Sequence, residues 1–257
     1  MTAESSPPPR RGIYLLPNLF TTGAMFAGFY AIVAAFWGQY TSAAIAVFVA
    51  ALLDGMDGRI ARLTNTQSEF GVQYDSLSDL VSFGMAPALV MYTWSLSALR
   101  PYGPFWSKLG WCAAFVYAAC AALRLARFNT QVGVADKRYF QGLASPAAAA
   151  LCMSFVWTAD TLGYSGTQLA FVTPFLTVVA GLLMVSRVRY YSFKSLPIGG
   201  RVPFITIIAA VLVLAMLAVW PPYVLLAGFG VYVLSGVVVT LHGLQVRRRA
   251  RHRGAAQ

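Results

Sequence analysis

Asp54, Asp57, Asp75 and Asp79 fall within 26 positions of a chain whose flanks are strongly apolar. A charge at the centre of a bilayer costs roughly 2.5–3.5 kcal/mol on insertion scales, so four aspartates in such a stretch need a chemical reason. On a helix at about 100° per residue, Asp54, Asp57, Gly58, Ala61 and Arg62 share an arc of about 140°. Gly71, Asp75 and Asp79 stand at i, i+4 and i+8 and form one stripe of a second helix. Two helices joined near Asn65 can set these stripes face to face, and the four carboxylates then converge. Unpaired carboxylates in one pocket repel strongly. The nearby bases, Arg59 and Arg62, are too few to neutralise them. Hard divalent cations choose oxygen ligands and suit such a site: Mg²⁺ or Mn²⁺, with Ca²⁺ a third candidate, as one or two ions. The stretch has no His or Cys, which argues against a soft metal.

The rest of the stripes is small. Gly58, Ala61 and Gly71 would let a ligand approach the backbone closely; the competing explanation is close helix–helix packing. Carboxylates on the same face favour the ligand cleft. Arg62 reads either as a snorkelling stop charge or as a phosphate contact, and its place beside the aspartates favours the phosphate. Metal, arginine and close backbone approach together describe a diphosphate site, where a metal bridges phosphate oxygens and stabilises a leaving group. One carboxylate can also serve as base for a hydroxyl nucleophile. The residues alone thus reach a metal-dependent transfer on a phosphate-bearing substrate at a membrane surface. A rival of another class is a cation transporter using the same aspartates, but a cation path gains nothing from Arg62.

The elements that must position these residues are membrane helices. The chain has 257 residues, of which 58% are hydrophobic, and its mean hydropathy is +0.65, well above a soluble domain's roughly 45–50% apolar content. Eight apolar runs lie near 17–37, 41–62, 72–95, 106–128, 145–162, 167–186, 202–219 and 222–243, most of them near the roughly 20 residues that span a bilayer. The expected fold is all-α and polytopic, with about eight transmembrane helices. Residues 1–12 read as a flexible arm, 13–244 as the membrane domain and 245–257 as a basic tail. The first run starts with "LPNLF" and lacks a small-residue cleavage site, so it reads as a retained helix. With the N-terminus inside, 17 Lys and Arg face the cytoplasm and only Arg100 and Lys108 face outward. That asymmetry predicts both termini and the aspartate cluster on the cytoplasmic side. The net charge of +11 therefore reads as stop signals and lipid anchors rather than a nucleic-acid surface, and the tail "RRRARHRG" as a segment that meets anionic lipid. Cys112, Cys120 and Cys152 have no metal-like spacing, and His242 and His252 are isolated. No pair of interrupted segments marks the inverted repeat of a transporter.

The spacing of Asp54, Asp57-Gly58, Ala61-Arg62, Gly71, Asp75 and Asp79 resembles the signature of the CDP-alcohol phosphotransferases, with eight fixed residues over 26 positions. The resemblance implies transfer from a CDP-linked lipid or alcohol to a hydroxyl acceptor, with release of CMP. It implies that Asp54, Asp57 and Asp75 are metal ligands and that Asp79 is a metal-associated general base. It also implies that Gly58, Ala61, Arg62 and Gly71 lie by the nucleotide and diphosphate, with Ser68, Asn18 and Thr21 as further contacts to the CDP-linked substrate. Outside the motif, "RLARFN" (124–129), "YFQGLASPAAA" (139–149) and "MVSRVRYYSFK" (184–194) resemble the membrane-embedded phosphatidylserine synthases, although Ala144 stands where Pro is usual. The substrates implied are CDP-diacylglycerol and L-serine; the acceptor alternatives are glycerol 3-phosphate and inositol phosphate. Arg124 and Arg127, at i and i+3, could bind the serine carboxylate, with Asn129 nearby; the competing explanation is a cytoplasmic stop charge. Arg187, Arg189 and Lys194 could hold lipid phosphate, though the positive-inside rule accounts for them as well. The resemblance further implies a six-helix catalytic core followed by two helices, a homodimer, and a place in a bacterial-type cell membrane.

Overall fold

The computed structural model describes residues 15–64, 68–130, 139–191 and 204–254. Among these, α-helices underlie all eight apolar runs. They are α1 (Leu15–Phe36), α2 (Tyr40–Leu63), the bipartite rod of α3 (Glu69–Asp79) and α4 (Ala86–Trp94), α5 (Pro104–Thr130), α6 (Ser145–Thr161), α7 (Thr173–Val185), α8 (Phe204–Val219) and α9 (Pro221–Gly254). By length and composition Leu16–Phe36, Pro104–Thr130 and Pro221–Thr240 each suffice to cross a membrane. Glu69–Trp94 with Leu96–Tyr102, bent by 41°, makes a fourth. α7 and α8 are shorter apolar helices, and α2 is long enough but carries Asp54, Asp57, Arg59 and Arg62 in its second half. The protein is an all-α polytopic membrane protein. The one addition to that expectation is an antiparallel ribbon of two three-residue strands, β1 (Tyr139–Gln141) and β2 (Arg189–Tyr191), with Phe140 opposite Tyr190. The joint near Asn65, the N-terminal arm, Lys194 and the end of the basic tail lie outside the described residues.

The core is built from small side chains. Ala24, Ala27, Ala31, Ala34 and Ala35 of α1 are buried, as are Ala43, Ala44, Ala46, Val47 and Ala50 of α2. In lipid, where apolar transfer gives helices little reason to associate, such residues let backbones approach and gain dispersion contact. Gly38, at φ 74°, makes the tight reversal between α1 and α2, a conformation that costs a side-chain-bearing residue more. Gly28 marks a close approach of α1 to its neighbour: a Cβ there would lie 2.7 Å from Ser82 Cα.

Between α3 and α4 the rod passes through a π-helical turn, Leu80–Met85. The wider turn disturbs the hydrogen-bond ladder at membrane depth, where freed carbonyls need partners. Buried side chains meet that need and lock the rod in place. The Tyr117 hydroxyl of α5 donates to Phe83 O at 3.1 Å, and Ser82 Oγ and Ser78 Oγ donate to Ala24 O and Thr21 O of α1, each at 3.1 Å.

The candidate site lies at one end of the bundle. The start of α1, the end of α2, the start of α3, the end of α5 and the start of α6 meet there, as the side-chain bonds below show. At the opposite end Thr41 Oγ1 donates to Asp160 Oδ2 at 2.6 Å and ties α2 to α6. α9 returns toward the site end, packing on α6 and β2, whereas α8 packs on α9 and buries none of its residues.

Candidate metal and phosphotransfer site

α2 runs unbroken to Leu63, so Asp54, Asp57, Gly58, Ala61 and Arg62 do share its final turns. α3 begins where Ser68, in extended conformation, accepts a hydrogen bond from Gly71 N at 3.0 Å. This N-cap satisfies one of the first-turn amides, and Glu69 in that turn suits the helix dipole. Ser68 is thus occupied in starting α3; its exposed position leaves it near, not inside, the carboxylate cluster.

One carboxylate oxygen from each of Asp54, Asp57 and Asp75 lies within 4.8 Å of the others. Asp79, one turn beyond Asp75, lies close enough to Asp54 for their carboxyl groups to interact. Two helices therefore bring all four aspartates together. The cluster is tied to α1 by Thr21, which is buried and donates to Asp57 Oδ2 at 2.7 Å. Asp75 Oδ1 and Asp79 Oδ1 are buried with no hydrogen-bond partner among the described residues. A buried, unsatisfied carboxylate oxygen is costly, and a cation relieves that cost. The fit is favourable: the donors are all hard oxygens, and three of them lie close enough together to share one hard cation.

The surroundings are open where a ligand would need room. Gly58 is exposed, and a Cβ built on it would meet nothing within 4 Å, so helix packing does not explain the glycine. Arg62 is exposed and its Nε donates to Gly58 O at 2.8 Å, which holds the guanidinium along the same face. Ala61 is half-buried. Gly71 faces α1: a Cβ there would lie 3.7 Å from Asn18 Oδ1, so Asn18 borders the cleft at the start of α3. Thr22, exposed beside it, meets the Tyr74 hydroxyl at 2.9 Å.

α5 supplies the facing wall. Asn129 Nδ2 donates to Ser76 Oγ at 3.0 Å, and deeper along the antiparallel pair Arg124 lies in the field of Asp79. Arg124 Nη1 donates to Ser145 Oγ at 2.6 Å, at the first residue of α6. Arg127 is half-buried on the same helix, and Arg187 is exposed past the end of α7. Ser145 is held by its approach. Gly142, at φ 85°, turns the chain out of β1, and Gly142 N and Leu143 N donate to Val188 O and Leu183 O, each at 2.9 Å. Pro146 then opens the first turn of α6, where it needs no amide partner. Residue types and spacing mark neither Ser145 as a partner of Arg124 nor Thr21 as a partner of Asp57. Only tertiary pairing reveals these; the Ser-Pro helix start was the one local signal.

The fold and site define a polytopic membrane protein with a carboxylate cluster able to hold metal at one end of its bundle. The sequence profile described as CDP-alcohol phosphatidyltransferase matches residues 14–185, and the chain belongs to that family. Among its relatives are proteins named CDP-diacylglycerol–serine O-phosphatidyltransferase. The one from Helicobacter pylori is 34% identical over 90% of this chain and 92% of its own length. Those from Mycobacterium tuberculosis and Methanocaldococcus jannaschii are each 32% identical, over 84% and 77% of this chain and 75% and 83% of their own lengths.

Proposed function

We propose that this protein is a phosphatidylserine-forming transferase, which moves the phosphatidyl group of CDP-diacylglycerol to the hydroxyl of L-serine and releases CMP. The observation that carries the reading is the family motif folded into one cluster: three aspartate oxygens within 4.8 Å, with Asp79 beside them. The relatives' shared name supports the acceptor. Asp54, Asp57, Asp75 and Asp79 would hold Mg²⁺ or Mn²⁺, and a bound divalent ion supplies charge neutralisation at the diphosphate.

The chain's own residues do the rest. Thr21 fixes the Asp57 carboxylate. The open space at Gly58 admits the nucleotide, and Arg62 and Asn18 border it. The serine hydroxyl attacks the phosphorus that carries diacylglycerol, a P–O bond forms, and the bond to CMP breaks with its electron pair leaving on CMP. Asp79 accepts the hydroxyl proton, a role that typically contributes about 10²–10⁴-fold. Arg124, with Arg127 and Asn129 on the same helix, receives the serine carboxylate.

The membrane domain would occupy residues 13–244, as a homodimer in a bacterial-type cell membrane, with the site and both termini cytoplasmic. That side suits a water-soluble acceptor, while lipid donor enters from the bilayer. The test is an acceptor screen with the purified full chain, CDP-diacylglycerol and a divalent ion, adding serine, glycerol 3-phosphate, inositol phosphate or inositol separately. CMP release with serine is expected. Release only with a phosphorylated acceptor overturns the acceptor, and no release with any overturns the enzyme.

A further inference from the structure

The family profile ends at residue 185, yet the polar cluster around Arg124 does not. Two residues from beyond that limit close it. Tyr190, on β2, is 1% exposed, and its hydroxyl has no hydrogen-bond partner among the described residues. Its ring packs on Tyr232 of α9, with centroids 5.4 Å apart and planes at 36°. Tyr232 in turn interacts with the Arg124 guanidinium. α9 can come this close because Gly236, one turn on, lies directly against the Tyr190 ring, where any side chain would collide. A chain of neighbours thus runs from Asp79 through Arg124, which also holds Ser145, to Tyr232 and on to Tyr190, drawing on five different elements.

A buried hydroxyl left unpaired forfeits a hydrogen bond worth having. A guanidinium with five donors, of which Nη1 is committed to Ser145, retains donors for a carboxylate. A single half-buried guanidinium matches a monoanion better than a phosphate dianion. Phenol oxygens accept hydrogen bonds from an ammonium, and aromatic faces attract one. The three kinds of group correspond to the three functional groups of a small amino-acid alcohol: carboxylate to Arg124, hydroxyl to Asp79, ammonium to the phenols.

We propose that Tyr190 and Tyr232 are specificity residues that receive the ammonium of the acceptor amino acid, so that the chain beyond the shared family core selects the acceptor. The inference rests on the proposed function and deepens it. Phenols in this position reward zwitterionic acceptors and give nothing to an acceptor without an amine.

The experiment uses the full-length protein carrying Tyr190→Phe or Tyr232→Phe, substitutions that keep the ring packing and remove one hydroxyl. Serine KM, CDP-diacylglycerol KM and kcat are measured, together with inhibition by 3-hydroxypropionate, a serine analogue lacking the amine. The expected result is a serine KM raised about 10–100-fold in at least one variant, the loss of about one hydrogen bond to a charged group. CDP-diacylglycerol KM, kcat and the 3-hydroxypropionate inhibition constant should stay within about twofold. Wild-type serine KM in both variants overturns the inference. So does an equal loss of 3-hydroxypropionate binding, which signals a pocket merely disturbed. The two failures stay separate: wild-type protein that turns over glycerol 3-phosphate and not serine defeats the acceptor reading, whereas serine turnover with unaltered variants defeats only the phenols.

Discussion

The two walls of the cleft are built on opposite plans. The α2–α3 wall concentrates like charges and leaves two buried carboxylate oxygens, on Asp75 and Asp79, with no partner among the described residues. The α5–α6 wall commits its polar groups in pairs: Arg124 to Ser145, and Asn129 across to Ser76. Repulsion makes the first wall incomplete by itself, so its geometry waits on a cation. The second wall is preorganised, and a ligand joins a network already in place. The first plan suits a step common to a whole family; the second can be changed residue by residue without disturbing that step.

The largest effect should come from the incomplete wall. Asp79→Asn keeps the side-chain volume and removes the basicity, so turnover should fall at least about 100-fold while CDP-diacylglycerol and metal still bind. Single-turnover CMP release alongside equilibrium binding checks this. Near-normal turnover would leave Asp79 with no part in proton transfer. The facing wall should lose less: Arg124→Gln removes a half-buried charge, and serine KM should rise about 10–100-fold with CDP-diacylglycerol KM little altered. An equal rise for both substrates would erase the distinction between the walls.

Smaller changes sharpen the comparison. Thr21→Val deletes the hydrogen bond that fixes Asp57, and groups that orient metal ligands typically contribute about 10–100-fold in affinity. The divalent-ion concentration for half-maximal activity should therefore rise about tenfold, with kcat recovered at saturating metal. Gly58→Ala meets no neighbour, so the midpoint of thermal unfolding should hold while CDP-diacylglycerol KM rises; an unchanged KM would mean that nothing occupies that space. Last, Ser68→Ala removes the cap of α3 and should cost about 1 kcal/mol of stability, read by thermal unfolding in detergent.

How much of this could be read from residues alone depends on the range of the interaction. Eight apolar runs foretold the helices, because hydropathy reports directly on a bilayer's demands. The convergence of the aspartates was legible too, since Gly71, Asp75 and Asp79 recur at one-turn intervals and Asp54 and Asp57 share an arc. What escaped was decided between distant elements. Nothing near Thr21 announces Asp57, 36 residues away, and nothing in "GLASP" announces that Ser145 meets Arg124. The sixth run also overstated its helix: residues 166–172 form turns and α7 begins only at Thr173. The three-residue ribbon is too short for any alternation to declare it.

The π turn at Leu80–Met85 sets the angular phase of the whole rod. Such a turn holds one residue more than an ordinary helical turn, and each residue of a helix advances the screw by about 100°. Deleting one residue there would restore a regular helix and swing Asp75 and Asp79 by roughly a quarter-circle relative to α4. With α4 buried in the bundle through Val90, Met91 and Trp94, the aspartates would be the side to move, out of register with α2. The extra residue thus works as a clocking pin, and the chain can tolerate substitutions around it more readily than a change of length.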